Sequence, residues 1–132
     1  MHTNYSELQQ RLPDFIVEYE IALCEELKNA KPHQGMRTDF LYESNEPQDD
    51  GIYMIWPEFL DQNGLIITDT SPAAVDLQGK ANMWIVSDEM KQYHYQRLKV
   101  GTKGYWVRGS YKVAKVTVIE ICNGANFYES KE

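Results

Sequence analysis

The sequence predicts a mostly β domain that opens with a helical segment. Three observations point there. The nine Tyr, three Trp and four Phe fall mainly in the last two-thirds of the chain, and aromatic enrichment favours strands. The hydrophobic period changes from three or four to two after the break at Pro32 and Gly35. Two apolar arms, Gly104–Arg108 and Tyr111–Ile121, flank Gly109-Ser110 as a two-residue hairpin turn. The length of 132 residues suits one domain, 1–132, and a chain of this size can bury about two-thirds of its unfolded surface.

Residues 4–30 read as helix. Asn4 with Glu7 forms a capping box, and Leu8, Leu12, Phe15, Ile16, Tyr19, Leu23 and Leu27 recur at helical spacing. Glu18, Glu20, Glu25 and Glu26 face largely away from them. Pro13 removes a helix hydrogen bond, so either a second helix starts there or one helix kinks. The apolar stripe is expected to pack on the strands that follow.

Met36–Tyr42 alternates as a strand, and Glu43–Gly51 is an acidic loop. Ile52–Trp56 is a second strand closed by Pro57, and Asn63-Gly64 turns into Leu65-Ile66-Ile67. Met83–Val86 is another strand, and Ser87 caps a short helix over Asp88–Tyr95. In the last arm Ala114, Val116 and Val118 share one face, whereas Ile119 and Ile121 take the other. A bulge near Val118 explains the switch; burial of both faces, one under the N-terminal helix, is the expectation preferred. Residues 123–132 form a tail.

One stretch resembles a known family. Gly35-Met36-Arg37-Thr38-Asp39-Phe40, the acidic loop, the short strand ending in Pro57 and the run RLKVGTKGYWVRGSYKVAKVTVIEI (97–121) are similar to the C-terminal β-barrel domain of elongation factor Tu and to small bacterial proteins built on that barrel alone. The resemblance covers about 35–122. It implies a closed, antiparallel barrel of about six strands used for binding. It departs at Lys115, where the family usually has Gly, and over Gly79–Val86, which fits poorly. No phosphate-loop motif is present, so nucleotide hydrolysis is not carried over.

No arrangement of residues specifies a reaction. His94 lacks a second His at ligand spacing, and Asp49-Asp50-Gly51 lacks the rest of a calcium loop. No metal ligands, catalytic residues or cofactor are therefore expected. Cys24 and Cys122 read as free buried thiols of a reducing compartment. The opening MHTNYSELQQ carries no export signal and the apolar runs are short, so a soluble cytoplasmic protein is expected.

Charge is unevenly spread. Residues 1–90 carry a net −12, residues 91–115 a net +7, and the whole chain −7. Arg97, Lys99, Lys103, Arg108, Lys112 and Lys115 are thus the candidate partner-binding residues, interleaved with Tyr105, Trp106 and Tyr111. The expectation is a non-catalytic protein-binding module, specifically an immunity-like protein against a basic partner, with association between copies as a variant. The alternatives are a nucleic-acid binder using the basic hairpin 97–115 and a small enzyme with His94 in a pocket. The acidic balance weighs against nucleic acid.

Overall fold

The computed structural model describes residues 2–9, 11–22, 31–43, 53–109 and 111–123. Six strands, β1 (Phe15–Ile21), β2 (Asp39–Tyr42), β3 (Tyr53–Leu60), β4 (Gln78–Ile85), β5 (Lys103–Arg108) and β6 (Tyr111–Ile121), close into an antiparallel barrel. Around the ring the order is β1-β4-β3-β2-β5-β6, with β6 paired back to β1. Helices α1 (Tyr5–Gln9) and α2 (Lys91–Arg97) lie outside the strands. The mostly β class, the closed six-stranded barrel and an N-terminal helix are as the sequence predicts.

The N-terminal helix is much shorter than expected. Among the described residues of 4–30, only Tyr5–Gln9 are helical, with the Ser6 N–H donating to the Asn4 cap oxygen at 2.8 Å. Phe15–Ile21 are a barrel strand, so the barrel begins there and not at residue 35. Pro13 blocks helix propagation, and Ile16, Val17 and Ile21 are β-branched, which suits a pleated strand. Phe15, Val17, Tyr19 and Ile21 point inward while Glu18 and Glu20 face solvent, a period of two. Leu12 is 39% exposed and Ile16 only half-buried, so the expected helical stripe does not exist as a unit. Leu23, Leu27, Cys24, Glu25 and Glu26 lie outside the described residues, as do most of the acidic loop and the tail.

Aromatic rings fill the lumen. Tyr19 lies 5.3 Å from Phe59 and 5.1 Å from Trp106 between ring centroids, and Phe15 lies 6.0 Å from Phe40. These separations are those of favourable aromatic pairs. Such rings need space opposite them. A Cβ on Gly104 would come within 2.6 Å of the Phe40 ring and 2.7 Å of the Leu41 carbonyl oxygen, so only glycine fits there.

Parity along β6 changes by bulges. β1 and β6 shift register between Ile16 and Val17, which pair with Glu120 and Val118 and leave Ile119 as the extra residue. A second shift, where Trp106 pairs with Ala114 but Val107 with Lys112, lets Val113 and Ala114 both be buried. The bulge explanation holds, and the preferred covering by a helix does not. An inserted residue flips every side chain after it to the other face.

β3 also runs further than expected, straight through Pro57, which pairs with Met83 of β4. β2 pairs with β3 only at Tyr53 and Met54, so beyond them β3 has on that side, among the described residues, just the isolated Leu60–Ile66 bridge, where the Ile67 N–H donates to the Phe59 carbonyl at 3.1 Å. There the buried Gln34 side chain stands in for a strand. Its Oε1 accepts the Phe59 N–H at 2.8 Å, and its Nε2 donates to the carbonyls of Phe59 at 3.0 Å and Ile67 at 2.7 Å. Pro57, two residues from Phe59 and of the same parity, faces this unpaired side and forfeits no ladder bond. Gln34→Leu should therefore cost about 2 kcal/mol, because it strands the buried Phe59 N–H and takes the side-chain donor from the Ile67 carbonyl, while the Phe59 carbonyl keeps the Ile67 N–H. Urea unfolding of the variant checks this, and an unchanged midpoint would refute the role.

Residues 2–9 cover the outer face of β3 and β4. The buried Glu58 carboxylate accepts from the Tyr5 N–H at 2.9 Å and the Trp84 indole N–H at 3.2 Å, and lies 2.6 Å from His2 Nε2. A buried carboxylate needs such partners to offset its lost hydration.

Candidate functional site

Strand register assembles an exposed charged face over β4, β1, β6 and β5. One row of adjacent partners reads Gln78, Glu20, Lys115, Tyr105; the next but one reads Lys80, Glu18, Thr117, Lys103. Between them runs an inward row of Gly79, Tyr19, Val116 and Gly104. Residues two apart on a strand share a face, so the two outer rows form one surface. A cleft of about 600 Å³ lies along it, closed at one side by Glu43.

The charges alternate across the strands. Lys115 Nζ is 3.5 Å from Glu20 Oε1, and the Gln78 side chain donates to the other Glu20 oxygen at 3.2 Å. Lys112 Nζ sits 4.0 Å from the centre of the Tyr105 ring, a cation–π contact. Both members of the Lys115–Glu20 pair are more than half exposed, so their attraction is weak in water. Three lysines and three glutamates line the cleft, a pattern of sign rather than one net charge.

Of the six basic candidates, the structure gathers Lys103, Lys112 and Lys115 here. Arg108 stands at the hairpin end of β5, five residues or about 17 Å along the strand from Lys103. Lys99 lies in the loop between α2 and β5, its N–H bonded to Thr102 Oγ1. Arg97 belongs to another cluster, its guanidinium 3.7 Å from the centre of the Tyr42 ring. Sequence reasoning missed Glu18, Glu20, Glu43 and Lys80 as members of the site. The signal was the alternation in FIVEYEI, which places both glutamates on one strand face.

His94 does not present itself as a catalytic base. It is 0% exposed, with the Tyr42 hydroxyl 2.7 Å from Nδ1 and no hydrogen-bond partner at Nε2 among the described residues. Tyr42, Tyr53 and Tyr93 pack around the ring at 4.6–5.8 Å. Burial, aided by the Arg97 charge and opposed by Asp14, lowers its pKa to about 4. Neither a carboxylate nor a nucleophile completes a catalytic set around it among the described residues.

Cys122 is a free thiol, and burial with nearby Glu120 and Asp14 pushes it up to about 11, far from the reactive thiolate range. Among the described residues no cluster of His, Cys, Asp and Glu is arranged to hold a metal ion, and no helix is long and apolar enough to cross a membrane. Compared with known proteins, the sequence matches no family model and no curated protein, so the site is read from its geometry.

Proposed function

We propose that the chain is a non-catalytic protein-binding module whose contact surface is the charged cleft over β4, β1, β6 and β5. The observation that carries this reading is the alternation of Glu18, Glu20 and Glu43 with Lys80, Lys103 and Lys115 on one exposed face. Complementary charge patterns steer association and fix register more than they add affinity. A polyanion would meet three carboxylates among those lysines, which favours a protein over nucleic acid. The net charge of −7 supports the narrower form, an immunity-like protein in the cytoplasm acting on a basic partner. The likeness of residues 35–122 to the barrel domain of elongation factor Tu supports binding as well, though it takes in only five of the six strands. Alternating signs also suit a face that meets a second copy of itself.

The test compares the native chain, as bait on a resin, with Glu18→Lys/Glu20→Lys and Lys103→Glu/Lys115→Glu variants of equal melting midpoint. A protein held by the native chain, eluted by salt and lost with either variant is the expected result. Labelled RNA and duplex DNA are titrated in parallel at about 50 and about 200 mM salt, where phosphate contacts lose orders of magnitude in affinity. Submicromolar nucleic-acid binding with a steep salt slope, abolished by the lysine reversals, would overturn the proposal.

A further inference from the structure

A second cleft, of about 320 Å³, lies on a different part of the barrel, between α1 and the outer face of β3 and β4. Its floor is the cross-strand pair Trp56 and Trp84. Arg37 stacks on Trp56, its guanidinium carbon 4.3 Å from the ring centre, and Arg11 stacks on Trp84 at 5.0 Å. Tyr5, Leu8 and Val86 supply further apolar wall, with Leu8 62% exposed. Lys91 and Asp88 complete the charged rim.

The cations here differ in what already occupies them. Arg11 is spent on structure: it donates to the Asp14 carboxylate at 3.1 Å and to the carbonyls of Leu12 and Ile85, each at 3.3 Å. Lys91 is held by Asp88 at 2.8 Å. Glu58, the other nearby carboxylate, is taken by His2, Tyr5 and Trp84. Arg37 is exposed, and among the described residues no carboxylate pairs with it. Stacking uses the face of its guanidinium and leaves the in-plane N–H donors free for a planar or tetrahedral oxyanion. An acidic chain has thus set an uncompensated guanidinium beside two indoles in a recess sized for a small molecule.

We propose that this cleft is a binding site for a small anion with an apolar body, the body resting on Leu8, Val86 and the part of Trp56 that Arg37 leaves uncovered, and its carboxylate or comparable oxyanion taken by Arg37. Burial of the apolar body supplies contact area, and the guanidinium supplies orientation through charge-assisted hydrogen bonds. Arg37 discriminates the anion from its neutral analogue, because a charged hydrogen bond contributes more than a neutral one.

The experiment titrates the full chain with 1-naphthoate and with its neutral isostere 1-naphthamide, following the three indole N–H signals by NMR. Naphthoate should shift the Trp56 signal most, leave the buried Trp106 signal in place, and bind about tenfold tighter than naphthamide. Arg37→Gln should erase that tenfold preference while naphthamide binding stays as it was. Arg37→Lys, which keeps the charge and loses the planar fork, should retain part of it. Equal binding of the two probes, an unaltered preference in Arg37→Gln, shifts confined to Trp106, or no saturable shift up to millimolar naphthoate would each overturn the proposal.

Discussion

Removing residues 1–21 should leave a chain that does not fold. β1 is laddered along its length to β4 on one side and to β6 on the other, so its loss opens the ring and creates two long unpaired edges. It also takes Phe15, Val17 and Tyr19 out of the core. Phe15→Ala alone should cost about 3–5 kcal/mol, since a fully buried ring leaves a cavity that the strands cannot close. Against a usual total of about 5–15 kcal/mol, that single change consumes much of the stability. Urea unfolding of Phe15→Ala and light scattering of the truncated chain are the measurements. A truncated chain that stays monomeric with an unchanged melting midpoint would refute the role assigned to β1.

Acid should weaken the fold through His94. Its folded-state pKa is near 4, below the ordinary 6.5 that it regains on unfolding. Between those values the unfolded chain binds a proton that the native state excludes. The contribution is therefore whole above about pH 6.5 and is lost as pH falls toward 4, to a limit of about 3 kcal/mol. The cause is geometric: three tyrosine rings and the Arg97 cation surround an imidazole that has no solvent contact. Unfolding free energies measured from about pH 7 to about pH 4.5 should slope in the native protein and lose most of that slope in His94→Gln. Equal slopes in the two proteins would remove His94 from the account.

The β5–β6 hairpin was legible because its signals are local. Gly109 adopts a positive φ of 58°, as the turn requires, and the alternation beside it is read within a few residues. β1 was misread because Leu8 and Leu12 set up a helical spacing that Phe15, Ile16 and Tyr19 continue by coincidence. The arbiters were Pro13 and the β-branched Ile16, Val17 and Ile21. The lysines of the charged cleft were visible as a cluster, but its glutamates come from β1, and only pairing across about a hundred residues brings Glu20 to Lys115. No sequence period marks Gln34 either, since its role depends on β2 starting only at Asp39, opposite Met54.

Closure of the ring also decides how the protein can be recognised. An open sheet offers a border onto which a foreign peptide can be laid as one more strand, its main chain read regardless of side chains. The six strands here spend nearly all of that capacity on one another, β6 returning to β1, and the Gln34 side chain occupies the stretch of β3 that β2 leaves unpaired. Any molecule that meets the strand faces must therefore read side chains, one residue in two along each strand. Outward positions such as Glu18, Lys80, Lys103 and Lys115 can then be exchanged without redrawing the ladder beneath them, so binding preference and architecture are free to change independently.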